Sequence, residues 1–183
     1  MKPFRRSRDG AIVAVFEREE AEIIARLASE SAELVEAVRS GVDPASDPAL
    51  LRLLPDAYPD DAEASVDFRR FTTDGLAERK ALNAVTVVEA LSAAGGVGSS
   101  GGGRSGSGSA RGRIEVRLDA QEATAWMRAI GDIRLVLASR LGIVEDGDDG
   151  DVHDDETALL RAIYDWLAFV QDTLVGAVWK GAH

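Results

Sequence analysis

Residues 4–16 read FRRSRDGAIVAVF, and residues 113–118 read RIEVRL. Asp9-Gly10 predicts a two-residue hairpin turn, because both central positions of such a turn need positive φ. Residues 4–8 and 11–16 would be its strands. In residues 113–118, apolar and charged side chains alternate with the period of a half-buried strand. Since a hairpin alone is marginally stable, we predict that this segment joins it in a small antiparallel sheet.

The predicted third strand follows a stretch rich in glycine and serine, residues 95–112, which holds nine of the 18 glycines. Such a stretch buries no apolar area and loses much entropy when ordered, so we predict a flexible linker. Because the strand after the linker returns to the hairpin, we predict that residues 1–183 form a single domain.

The remaining segments have the three- and four-residue apolar spacing of helices. Asp74 is predicted to cap one helix, whose sides are nearly all apolar, so we expect that helix at the centre of the core. Asp119 and Glu122 form a capping box, and Gly142 fits the C-terminal cap of the same helix. The predicted helices cover residues 17–39, 62–71, 74–94, 119–141 and 156–179. The fold class is therefore mainly α, a bundle of four to five helices with a small antiparallel β-sheet.

The chain has a formal net charge of −11, and eight of its acidic residues lie within residues 145–156. We predict that this segment is a mobile, self-repelling acidic loop. A calcium loop is the alternative, because Asp149, Gly150 and Glu156 would occupy its positions 5, 6 and 12. Gly147, however, stands where the position-3 ligand should be, so we favour the mobile loop.

Enzymatic chemistry finds little support in this sequence. No cysteine is present, which excludes thiolate catalysis, disulfides and cysteine-ligated metals. The histidines are His153, in the acidic loop, and His183. Two G-x-G-x-x-G matches lie in the linker, where no strand precedes and no helix follows as a dinucleotide site requires. We therefore predict a non-enzymatic protein with no catalytic residue, no cofactor and no metal site.

No membrane or targeting segment is predicted. The apolar run at residues 11–16 is shorter than the roughly 7–15 residues of a signal-peptide core. No charge-free apolar stretch approaches the roughly 18 residues that span a bilayer. We therefore expect a cytoplasmic protein without a membrane partner.

Arg5, Arg6 and Arg8 lie on or beside one strand of the predicted hairpin. Arginines on a β-ribbon can contact phosphates or base edges, so these three residues are candidate nucleic-acid contacts. The alternative is that they are solvated or paired with carboxylates, and the acidic net charge favours that alternative.

Two further features of the helices invite interpretation. Asp132 and Arg134 are polar groups in an apolar helix, and we expect a paired structural network, for example with Arg140 or Asn83. A functional site is the alternative, although the sequence gives it no direction. Val178 and Trp179, at the end of the last helix, are candidate contacts with a second subunit.

Three segments carry a resemblance to a known family. They are RLLPDAYPDD at residues 52–61, FRRFT at residues 68–72 and DIRLVLASRLGI at residues 132–143. With them, nearly the whole chain apart from the linker and acidic loop resembles an actinobacterial domain-of-unknown-function family associated with AosR-type oxidative-stress transcription regulators. The resemblance implies a mainly helical, homodimeric, cytoplasmic protein without enzymatic activity.

The resemblance also implies two functions. The first is a transcription-associated stress regulator that acts through DNA or a transcription partner such as a sigma factor. The redox sensing proposed for the family uses a cysteine pair, so this chain would act without thiol sensing. The alternative is a protein-interaction module that binds a Clp adaptor or protease, because genes of the family commonly lie near that of the Clp adaptor.

Overall fold

The described residues form five α-helices and a three-stranded antiparallel sheet, which confirms the predicted fold class. The computed structural model describes residues 1–55, 62–95, 112–145 and 147–179, with the backbone alone for residues 62–72. The elements are β1 Lys2–Arg6, β2 Ile12–Glu17, α1 Arg18–Arg39, α2 Pro48–Leu53, α3 Ala62–Ala93, β3 Arg113–Leu118, α4 Ala120–Arg140 and α5 Asp155–Trp179.

The sheet has the order β1-β2-β3, so the strand after the linker lies beside the hairpin as predicted. Ile12 pairs with Leu118 and Glu17 with Arg113, in one unbroken antiparallel register. Strand β1 is an edge strand, and its register shifts between Lys2 and Arg5. This irregularity contains Pro3, which has no N–H to donate and is tolerated at edges and bulges.

The hairpin turn differs from the prediction in its position. The Gly10 N–H donates to the Ser7 carbonyl over 3.1 Å, so Arg8 and Asp9 are the central residues of the turn. Gly10 follows them with φ of +92°. The prediction of a two-residue Asp9-Gly10 turn was therefore wrong, because glycine serves here as the left-handed residue after the turn.

An aromatic cluster joins the sheet to the helices. Phe4 and Phe16 point from the sheet to Trp126 of α4, with ring centroids 5.8 and 6.1 Å from the tryptophan. All three side chains are buried. One inner face of the sheet therefore covers the helical core, while its other face is turned away from that core.

Helix α3 corrects two predictions. It runs without a break from Ala62 to Ala93, so Asp74 lies inside a helix and does not cap one. Asp74 and the next residue, Gly75, each lower the stability of a helix interior by about 1 kcal/mol or less relative to alanine. The packing of α3 along α1 outweighs that cost. Leu82 and Val85 are 64% and 42% exposed, so this helix is not buried on all sides.

The two helices after the linker follow their predicted patterns. Asp119 and Glu122 make the capping box of α4. Gly142 ends that helix with φ of +66°, and the Ile143 N–H donates to the Ala138 carbonyl as in a Schellman motif. Among the described residues, no helix is long and apolar enough to cross a membrane. Most of the predicted linker, residues 96–111, lies outside the described residues.

Candidate nucleic-acid interface

The face of the sheet that is turned away from the core carries charged side chains. Arg5 of β1, Val13 of β2 and Arg117 of β3 form one cross-strand row. Lys2, Val15 and Glu115 form the next row. Because neighbouring strands lie about 4.8 Å apart, Arg5 and Arg117 are separated by about 10 Å across this face.

The structure places the three candidate arginines at the exposed edge and turn of the hairpin. Arg5 and Arg6 lie on β1 and Arg8 lies in the turn, and all three are exposed. Within the described ranges no carboxylate forms an ion pair with any of them. Arg6 is opposite Ile12, so it occupies the other side of the strand from Arg5. The arginines therefore surround the hairpin end without sharing one face.

The basic residues of β3 were missed as part of this surface. Arg113 Nε donates to Glu17 Oε1 over 2.9 Å, and the Arg117 guanidinium pairs with Asp9. Both pairs cross from β3 to the hairpin, and both are exposed. The alternation of residues 113–118 shows which side chains share a face, but only the strand register shows which hairpin residues they meet.

A buried ion pair links α3 to α4. Lys80 Nζ lies 2.5 Å from Asp132 Oδ1, and the two side chains are 18% and 11% exposed. Burial raises the pKa of Asp132, and the Lys80 ammonium acts in the opposite direction. Asp132 therefore has the ion-pair partner that a paired network requires, and this partner is Lys80, not Arg140 or Asn83, which served as examples.

Arg134 has its partners on α5. Its Nη1 donates to Gln171 Oε1 over 2.8 Å, and its guanidinium carbon lies 4.9 Å from the ring centre of Tyr164. Its Nε is buried and has no hydrogen-bond partner among the described residues. Arg140 binds Asp47 outside this group, with its Nη2 at 2.6 Å from Asp47 Oδ2. The polar groups of α4 thus connect three different elements.

Within the acidic loop, several residues make hydrogen bonds. Arg161 Nη1 donates to the carbonyls of Asp148 and Asp149, over 3.0 and 2.5 Å. The Asp148 carboxylate accepts from the backbone N–H groups of Gly150 and Val144, which lower the pKa of Asp148. The described residues contain no group of three or more His, Cys, Asp or Glu side chains arranged to hold a metal ion. The mobility of this loop stays a prediction.

Comparison with protein families gives one match. A family model described as Domain of unknown function (DUF2017) matches residues 1–178. The chain belongs to this family. A search of curated proteins and a search of solved structures gave no match.

The DUF2017 match includes the hairpin, the sheet and the polar groups of α4. Lys80 is already paired with Asp132 inside the protein, so its charge is not available to a ligand. The hairpin arginines of this DUF2017 chain are exposed, and each guanidinium can form two parallel hydrogen bonds to a phosphate. The hairpin is therefore the candidate nucleic-acid interface.

Proposed function

We propose that this chain is a non-enzymatic regulator of transcription that acts in the cytoplasm, as a homodimer, through DNA or a transcription partner. In this proposal it is an actinobacterial member of the oxidative-stress regulators that its sequence resembles. Its signal would not be a disulfide between residues of this chain, because the 183 residues include no cysteine.

The observation that carries the proposal is the exposure of Arg5, Arg6 and Arg8 and their lack of ion pairing among the described residues. All three are exposed, and none is paired with a carboxylate in the part of the chain that the structure describes. Of the alternative interpretation, this observation opposes the carboxylate-paired form, and the duplex titration below separates the solvated form from phosphate binding. Unpaired arginines on a β-ribbon are suited to contact phosphate oxygens of a duplex.

The acidic net charge weighs less against DNA binding than its size suggests. Eight of the 32 acidic residues lie within residues 145–156, so most of the excess negative charge belongs to one segment. The Debye length is about 8 Å at physiological ionic strength, so charges farther than that from the hairpin are largely screened.

The experiment is a duplex-binding titration at several salt concentrations, read by fluorescence anisotropy. Replacing all three hairpin arginines by alanine should weaken binding at low salt. It should also make the negative slope of log K against log salt shallower by about 3, because each of the three lost phosphate contacts contributes about 0.9 to the magnitude of that slope.

A matched control removes the same charge elsewhere. The triple variant Arg26→Ala, Arg39→Ala and Arg128→Ala changes exposed positions on α1 and α4. It should keep most of the wild-type affinity and salt slope. Equal loss in both triple variants would show a bulk-charge effect, and no duplex binding at low salt would contradict the DNA branch of the proposal.

A further inference from the structure

Helix α5 has a second apolar stripe beside the one that faces the core. Its core stripe includes Ile163, Leu167, Val170 and Leu174, all buried. The second stripe, which we call the outer stripe, has four apolar side chains, Leu159, Ala162, Trp166 and Phe169, and continues with the small residues Thr173 and Gly176. Leu159 and Phe169 are 61% and 49% exposed and Ala162 is exposed too, whereas Trp166, Thr173 and Gly176 are partly buried. The outer stripe is therefore accessible chiefly between Leu159 and Phe169.

The spacing of the outer stripe indicates what shape would cover it. The six positions follow one another at alternating steps of three and four residues, which is the a/d pattern of a helix–helix seam. A partner that buries such a stripe presents the same pattern on a helix of its own. Trp166, which is half-buried against the core, fixes the middle of the stripe.

The charge beside the outer stripe indicates the chemistry of the partner. Asp165 and Asp172 lie on its solvent side, and both are exposed. Arg161 Nε contacts Asp165 over 3.1 Å, whereas Asp172 has no ion-pair partner among the described residues. A helix that lies on the stripe gains electrostatic attraction from Lys or Arg next to its own apolar positions.

A second copy of α5 matches this surface poorly. In heptad terms Asp165 and Asp172 are g positions. In an antiparallel pair g faces g, so the acids of the two copies would oppose each other. In a parallel pair g faces e, and here the e positions Ile163 and Val170 are buried in the chain's own core.

We propose that the outer stripe of α5 is a docking site for a basic amphipathic helix of a partner protein. The apolar seam supplies most of the buried area, and Asp172 with Asp165 selects partners with Lys or Arg flanks. This docking site lies on α5, away from the hairpin surface of the proposed function, and the proposal does not depend on DNA binding.

The test uses two synthetic peptides and the full chain. Both peptides carry leucine at a and d, and one has lysine and its twin glutamate at e and g. Binding is followed by the anisotropy of the labelled peptide. The lysine peptide should bind about tenfold or more tightly than its twin, because like charges across an interface are strongly unfavourable.

Variants of the chain locate the binding site. Phe169→Asp and Leu159→Asp should each weaken lysine-peptide binding about thirtyfold. Asp172→Lys should reverse the preference between the two peptides. Val175→Asp changes an α5 residue that lies outside the stripe and is 37% exposed, so it should leave binding unchanged. Circular dichroism and melting temperature confirm that each variant is folded.

Three results would overturn the proposal. The first is no binding of either peptide. The second is equal binding of both twins, which would indicate unspecific apolar contact. The third is a dimer in sedimentation that Phe169→Asp dissociates, since that would assign the stripe to a second copy.

Discussion

The Lys80–Asp132 pair should cost much more stability when it is broken than when it is replaced as a whole. Burial raises the pKa of Asp132, whereas a net-favourable ion pair would lower it. The attraction across the 2.5 Å contact therefore does not fully offset the desolvation of the carboxylate.

The magnitudes follow from the burial of each partner. Asp132→Leu leaves the Lys80 ammonium buried without a counter-ion, which typically costs 3–5 kcal/mol. Because the Lys80 side chain keeps 18% exposure, we expect about 3 kcal/mol, at the lower end of that range. Lys80→Met should cost less, about 1–2 kcal/mol, since the remaining carboxyl can be protonated.

The double variant tests whether the loss of stability comes from breaking the ion pair or from the loss of each residue on its own. Lys80→Met with Asp132→Leu should be within about 1 kcal/mol of the wild type, or more stable. Urea unfolding of all four proteins gives the coupling energy, whose magnitude we expect to be about 3–5 kcal/mol. In calorimetry Asp132→Leu alone should lower Tm by about 6–12 °C.

The pH dependence provides a second check. An aspartate with a raised folded pKa contributes stability that is present below its unfolded pKa and is lost as the pH rises through its folded pKa. The wild type should thus lose stability relative to the double variant over that interval. Additive costs in the cycle, or a double variant as unstable as Asp132→Leu, would refute the reasoning.

Two other predictions concern residues that contact the C-terminal end of α4. Gly150 has φ of +70°, and a Cβ there would lie 2.7 Å from the Leu141 carbonyl oxygen. Gly150→Ala should therefore lower the free energy of unfolding by more than about 1 kcal/mol. Gly176→Ala is the control in the same assay and should be neutral or stabilising, because a Cβ there meets nothing within 4 Å. The Arg140 side chain lowers the pKa of Asp47. Asp47→Asn keeps a capping side chain but loses the charge. In urea unfolding, this variant should be less stable than the wild type at neutral pH, and the difference should vanish as the pH falls through the folded pKa of Asp47. A difference that is constant with pH would contradict this.

Local rules were enough for the strands and for the two ends of α4, but not for the helix start predicted at Asp74. The alternation in residues 113–118 predicted β3, and the Asp119–Glu122 box predicted the start of α4. These features depend on side chains within a few residues of the backbone groups that they satisfy. The Asp9-Gly10 turn was placed one residue too far along the chain, because the same two residues suit both a two-residue turn and a turn followed by a left-handed glycine.

The candidate site was predicted only in part. Arg5, Arg6 and Arg8 stand out in the sequence as a basic cluster, but the sequence does not show that no carboxylate of the described residues pairs with them. The sequence offers many acids, and pairing depends on which of them the fold brings near. The cross-strand pair of Arg117 with Asp9 shows this, since 108 positions separate the two residues.

The amino-acid sequence by itself determined the class of the fold, the three strands and the caps of α4, because these follow from short-range periodicity and hydrogen bonding. Only the tertiary structure decided which apolar surfaces are covered. Leu82 of α3 and Phe169 of α5 belong to apolar patterns as clear as those of the core, yet both are exposed. Burial depends on whether a distant segment packs against a face, and periodicity along one helix carries no information about that neighbour.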